Sequence, residues 1–449
     1  MQSKSQVFHR SLQLTYPTAV AGEGVYVIDE QNKRYIDACG GAAVSCLGYS
    51  YEPLKAAIKQ QLDTLPFVHS SFFTTEVLEA AAAEIVADTN GNMARVYFVS
   101  GGSEAIEAAI KMARQYFVDQ GQTDKRYFIA RKQSYHGNTL GALSLSGNEA
   151  RKAPYKDILI DANHIAACYE YRERQDGESL EAYALRAANE LETAILRLGA
   201  DNVAAFVAET VVGATAGCVA PVPGYFKRIR EICDQYGVLL ILDEVMCGMG
   251  RTGTLHAYEQ DGIIPDIQAV AKGIAAGYQP LGAVLMRQSI VDAIANGAGF
   301  FQHGHTYISH ATAVAAGLAT QRILKAENLL ANIVKQGDYL NQLLHEQLGQ
   351  HPRIGQFIGD IRGRGLFRGI EIVADKISKQ VHDPNLPIAA GIRQTAMDNG
   401  LMCYPLTGTI DGIHGNHILL APAYIIQAHE IEEIVDKLTA SIDNVLTAL

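Results

Sequence analysis

Three short stretches carry residue types that can do chemistry together. Val99-Ser100-Gly101-Gly102-Ser103-Glu104 follows an apolar run at 96–99 and precedes residues whose apolar positions 106, 109, 110, 113 and 117 repeat at helical spacing. A helix opening there points its unpaired N–H groups outward, glycine lets a ligand come close, and Ser103 adds a hydroxyl, so the stretch has the makings of a phosphate cradle. An ordinary glycine turn with Ser103 as helix cap fits the same letters. In the second stretch Asp243 and Glu244 end the apolar run that begins at Val238. A carboxylate at such a strand end can face a cationic ring nitrogen and keep it protonated; a helix cap or a surface ion pair is the plainer alternative. The third stretch is Val270-Ala271-Lys272-Gly273, behind the apolar run 267–271 and ahead of glycines at 277 and 282. Small apolar neighbours hydrate an ammonium poorly, which favours the neutral amine that attacks an aldehyde, although a solvated loop lysine is also compatible.

A phosphate cradle, a ring-nitrogen carboxylate and a lysine at three strand ends of one sheet are the protein groups that pyridoxal phosphate requires. The elements that must position them are legible as short apolar strands alternating with helices. Strands are expected at Val96–Val99, Tyr127–Ala130, Val203–Ala208, Val238–Leu242, Ile267–Ala271 and Ala283–Met286. All are apolar throughout, as parallel strands covered on both faces tend to be. Helices are expected at 104–117 and at Tyr225–Tyr236, the latter stopped by Gly237. This predicts a doubly wound, mostly parallel α/β domain over residues 55–325. Residues 326–449 read as a smaller α+β unit with long helices, the last over His429–Leu449, whose apolar residues cover one face. The turn-rich segment 1–54, with a short run at Val25–Ile28, is expected to join that unit.

Composition narrows the class. Hydrophobic residues are 48% and charged residues 19% of the 449, enough for more than one large core. The formal net charge is −11 without a like-charge block, which argues against nucleic acid as a partner. No stretch has the length of a signal peptide's apolar core or a membrane helix, and seven cysteines without metal or C-x-x-C spacing point to a reduced, cytoplasmic protein.

The same residues resemble the class III, or omega-type, aminotransferases of the fold-type I pyridoxal-phosphate enzymes. The likeness runs from Gly22-Glu-Gly-Val-Tyr-Val-Ile-Asp29 and Tyr35-Ile-Asp37 to the C-terminal helix. Its most specific stretch is Leu242-Asp243-Glu244-Val245, then Gly248-Met-Gly250-Arg251-Thr252-Gly253 and Lys272. The resemblance implies that Gly102 and Ser103 bind the phosphate and that Tyr135, in Ser134-Tyr135-His136-Gly137, stacks on the pyridine ring. It further implies Glu209 near the ring hydroxyl, Asp243 on the ring nitrogen, Val245 on the other ring face and Lys272 as the Schiff-base lysine. Thr306, in His305-Thr306-Tyr307, is expected to reach the phosphate of a neighbouring subunit, so a homodimer or dimer of dimers with shared active sites is implied. Each has a plainer alternative: a core aromatic for Tyr135, a core residue for Val245, a loop hydroxyl for Thr306, a surface acid for Glu209. His136 is read as structural.

One departure bears on substrates. Many class III enzymes read a substrate carboxylate with an arginine near the C-terminal domain's Pro-Pro, whereas this chain has Leu419 and Ala428 there and no arginine after Arg393. Arg364 is the substitute considered, though a structural role suits it better. The expectation is therefore transamination from an amine or omega-amino compound to a keto acid, pyruvate favoured, in ping-pong fashion. An aminomutase or decarboxylating transaminase would use the same groups. From other classes, Gly248 to Gly253 matches G-x-G-x-x-G, as a nicotinamide or flavin oxidoreductase would, but opens no periodic helix, and a non-catalytic binding protein would have no use for Lys272 with Asp243.

Overall fold

The computed structural model describes residues 5–448. Its centre is a seven-stranded sheet in the order Arg95–Val99, Gly282–Met286, Ile267–Ala271, Leu239–Asp243, Val203–Glu209, Tyr127–Arg131, Asn163–Ile165. The last five pair in parallel. Gly282–Met286 differs from the sequence expectation, running antiparallel to both neighbours. The physical reason lies in the connection: Ile267–Ala271 returns through a 3-10 turn at Lys272–Ala275 and a short loop, and a return without a crossover helix reverses the strand.

Alternation along the strands divides the core into two layers, because successive side chains point to opposite faces. Ala205, Val207, Ile241, Ala269 and Val284 meet Ile106, Ala109, Met112, Ala113 and Phe117 of the helix Gly102–Asp119. Phe206, Ala208, Leu240 and Leu242 meet the helices Leu180–Leu198 and Tyr225–Tyr236 on the other face. Gly237 ends the second of these in the left-handed conformation, φ +58°, which glycine adopts without a Cβ penalty. The sheet is thus doubly wound, and its parallel register sets Glu209 beside Asp243 and Asp243 beside Ala269. Lys272 follows three residues after Ala269. Three chemically active side chains thereby arrive at one edge of the sheet through strand pairing alone.

Two smaller sheets flank this unit. One is antiparallel, in the order Ile358–Arg364, Phe367–Ile372, Asn416–Leu420, Tyr404–Thr407. The other joins Ala19–Glu23, Tyr26–Asp29 and Arg34–Asp37 to Leu401–Met402, so the chain's first strands pair with its last quarter. The terminal helix Ala428–Leu446 buries Ile431, Ile434, Val435, Leu438, Ile442 and Leu446 on one face, and a reciprocal Gln427–Glu430 capping box fixes its start. Each such buried side chain is worth about 1.5–3 kcal/mol of transfer free energy, so this face holds the helix in place. Among the described residues no helix is long and apolar enough to cross a membrane.

Candidate active site

A cavity of about 300 Å³ opens where the parallel strands end. Gly102, Ser103, Tyr135, Glu209, Asp243, Val245 and Lys272 all line it, together with Val44, His136 and Leu281. The chain brings seven of its eight expected site residues to this one space. Thr306 is not among them: it lies exposed in a turn at 306–309.

The cradle is built by steric fit. Gly101, extended at φ −179°, precedes the helix that starts at Gly102, and N–H groups of a first helical turn have no carbonyl behind them. Ser103 is therefore inside the helix rather than its cap. A Cβ on Gly102 would come within 2.8 Å of Val245 Cγ1, so this residue must be glycine for Val245 to stand where it does. Gly137, at φ +136°, lies so close to Ser103 that a Cβ there would fall 2.5 Å from the Ser103 Oγ. That Oγ accepts a hydrogen bond from the Asn138 N–H at 3.0 Å.

The acidic side is held by donors. Asp243 Oδ1 accepts from the Val245 N–H at 3.0 Å, and Oδ2 lies 2.8 Å from His136 Nδ1, with both side chains almost wholly buried. A carboxylate only accepts, so the imidazole carries its proton on Nδ1. Glu209 spans the Tyr135 N–H at 2.9 Å and the Gly213 N–H at 2.8 Å. Burial raises its pKa, the nearby Asp243 carboxylate adds to the rise, and His136 opposes it. His136, read from the sequence as structural, is the side chain that meets Asp243. Its position next to Tyr135 was the available signal, and its partner more than a hundred residues away is visible only in three dimensions.

Glu244, adjacent to Asp243 in sequence, points away into the core. Its carboxylate accepts from Thr210 Oγ1, Gln268 Nε2 and the N–H groups of Ala257 and Tyr258, all at 2.7–2.8 Å. Burial nevertheless pushes its pKa up to about 7. Lys272 has a left-handed backbone, φ +50°, which places a non-glycine residue under strain of order 1–3 kcal/mol. Burial lowers its ammonium pKa to about 8, against the opposing pull of Asp243 and Glu209. A far larger fraction of the amine is therefore neutral near physiological pH than in an ordinary lysine, and the neutral form is the nucleophile toward an aldehyde.

Pyridoxal phosphate fits these groups. An open glycine cradle at a helix start suits its phosphate, a buried carboxylate faces where a ring cation would need one, and a lysine of lowered pKa shares the same cavity. Arg251 lies elsewhere, fully buried and donating to the carbonyl oxygens of Leu366 and Pro422. The glycines around it form turns at 248–253 and open no helix, so the G-x-G-x-x-G letters do not make a dinucleotide site.

Fold and site together define a pyridoxal-phosphate enzyme of fold type I. The family model for class III aminotransferases matches residues 9–442. An uncharacterized aminotransferase of Schizosaccharomyces pombe is 44% identical over the whole of this chain and 97% of its own length. The putrescine–pyruvate aminotransferase of Pseudomonas aeruginosa is 33% identical over 95% of this chain and 90% of its own. The crystal structure of an amine transaminase from an uncultivated Pseudomonas species, in its pyridoxal-phosphate-bound form, superposes with a TM-score of 0.92 at 33% identity, covering 99% of this chain and all of that one. The chain belongs to the class III aminotransferases, and its cofactor is pyridoxal phosphate.

Proposed function

We propose that this aminotransferase moves an amino group from an amine or omega-amino compound to a keto acid, with pyruvate the favoured acceptor, in two half-reactions that share one site. The observation that carries the reading is that neither C-terminal position where an arginine was looked for holds a cation: Leu419 is fully buried among Phe367, Met246 and Ala421, and Ala428 lies exposed at the start of the last helix. Arg364, the substitute considered from sequence, is held by both oxygens of Asp261 at 2.8 and 3.2 Å. The likeness to a putrescine–pyruvate enzyme points the same way.

When bound, the cofactor supplies an aldehyde for the donor's nitrogen and an electron-withdrawing ring. Gly102 and Ser103 hold the phosphate, and Tyr135 and Val245 clamp the ring faces. Glu209 stands near the ring hydroxyl. Asp243, oriented by His136, keeps the ring nitrogen protonated. Lys272 Nζ would anchor the cofactor and, once the donor's nitrogen had taken its place, would carry the proton lost from the donor's amino-bearing carbon. Each half-reaction leaves before the other substrate enters, which gives ping-pong kinetics.

The proposal extends to assembly and organisation. Tyr307, next to Thr306, is exposed and meets Phe67 edge-on at 5.9 Å, and Phe72, Phe73 and Phe300 are exposed as well. Such an aromatic surface fits burial against a second copy, with Thr306 reaching the copy's phosphate. Segments 1–54 and 326–449 would act as one small domain beside 55–325. Seven buried, unpaired cysteines suit the reducing cytoplasm. A donor and acceptor screen tests the substrate reading: turnover of a carboxylate-free amine with pyruvate supports it, and turnover of α-amino acids with 2-oxoglutarate alone overturns it.

A further inference from the structure

A second cavity, of about 770 Å³, lies beyond Tyr135. Its polar lining includes Arg10, Asn138, Asn148, Arg151, Tyr155 and Thr215, and no acidic residue contributes to it. On a chain of net charge −11 that is a local reversal of sign, and it selects for an anion.

Apart from Arg10, the other guanidinium groups around the site are committed. Arg131 donates to the Glu209 carbonyl, Arg251 to two carbonyls, Arg362 to Glu371 and Asp360, and Arg364 to Asp261. Arg151 differs. Among the described residues no carboxylate or carbonyl oxygen meets its guanidinium, whose contact is the Tyr135 ring, with Cζ 4.8 Å from the centroid. Its backbone is fixed, because the Arg151 N–H donates to Oδ1 of the buried Asn148 at 3.2 Å. The arrangement is an anchored stem with an uncommitted planar fork, five donors wide, at a half-buried position. Tyr135 lines the first cavity and carries the guanidinium that lines the second, so the fork stands one aromatic ring away from the space shared by Lys272 and Asp243.

We infer that Arg151, with Arg10 as a second positive charge, binds the carboxylate of the keto-acid acceptor. This rests on the amine-to-keto-acid reading above and supplies what that reading lacks, since a keto acid brings a carboxylate whose desolvation needs a bidentate donor. A carboxylate-free amine makes no demand on the fork, so the arginine serves one half-reaction and not the other. Leaving the Tyr135 face costs the fork only a cation–π contact.

The test uses the holoenzyme and measures three things: the amine half-reaction with propylamine, the acceptor half-reaction with pyruvate, and calorimetric binding of unreactive propionate. Arg151→Gln is expected to raise the pyruvate KM and the propionate dissociation constant at least about tenfold, and to slow the propylamine half-reaction less than about threefold. Arg151→Lys recovers part of the loss, Arg10→Gln shows a smaller effect in the same direction, and Arg364→Gln leaves the pyruvate KM where it was. The inference is overturned if Arg151→Gln leaves both pyruvate and propionate within about twofold of the parent, or if both half-reactions fall together, as a role through Tyr135 alone would give. Should the parent enzyme react with neither propylamine nor pyruvate, the substrate reading fails, and propionate binding still decides the fate of Arg151.

Discussion

His136 Nδ1 stands 2.8 Å from Asp243 Oδ2, both side chains out of reach of solvent. The pair ties the loop after Tyr127–Arg131 to the end of Leu239–Asp243, two strands away in the sheet. It also leaves His136 Nε2 buried without a partner. An imidazole N–H directed at a carboxylate fixes its orientation, which suits His136 to position Asp243.

Asp243→Asn keeps the shape and removes the charge. The expected outcome is a fall in kcat of about 10³-fold, roughly 4 kcal/mol of transition-state stabilisation, with the protein still folded. His136→Phe should cost less, about tenfold, and should shift the pH titration of the bound cofactor's absorbance, which a purely structural residue would leave in place. Stopped-flow absorbance checks both.

Glu244→Gln should separate two adjacent carboxylates. Its four donors are backbone and side-chain groups of the core, so the exchange sets an amide NH₂ against them and costs about 1–3 kcal/mol of stability, while activity per folded molecule stays within about fivefold of the parent. The pH dependence has a definite sign. Because the folded protein holds the Glu244 proton up to about pH 7, against an ordinary value of 4.5, its contribution to stability is greatest below pH 4.5 and is lost as pH rises through 7. Denaturant midpoints across that window, compared between parent and variant, check it.

Gly137→Ala should loosen the cofactor. The added Cβ meets Ser103 Oγ at 2.5 Å in a backbone conformation that alanine resists, so Ser103 must move out of the cradle. The cofactor's Kd, measured by dialysis or fluorescence, is expected to rise at least about tenfold, equivalent to about 1.4 kcal/mol of lost binding.

Lys272 gives a pH prediction for cofactor loading. Burial lowers its pKa from 10.5 to about 8, and only the neutral amine attacks an aldehyde. The rate at which apoenzyme takes up pyridoxal phosphate covalently should therefore rise with pH up to about 8 and level off above it, rather than climb toward 10.5. Rapid-mixing absorbance on the apoenzyme checks the midpoint.

Much of this was readable before any coordinates. Parallel strands covered on both faces need unbroken apolar runs, so Val203–Glu209 and Ile267–Ala271 announce themselves, and glycine at 237 marks a helix end. Lys272 and Asp243 were legible because their chemistry is tied to strand ends. What stayed hidden depends on contacts distant in sequence. Strand direction at Gly282–Met286 is set by the connection rather than by the strand's own residues. The His136–Asp243 bond joins positions 107 residues apart, and the Asp261 that holds Arg364 in a structural role lies 103 residues before it.

The central claim is that Lys272 is the residue that carries the cofactor. Borohydride reduction of the yellow holoenzyme followed by peptide mass mapping measures this directly. The reduced cofactor is expected on the peptide containing Lys272, with Lys272→Ala unlabelled and inactive. Label on another lysine, or turnover retained by Lys272→Ala, contradicts the account.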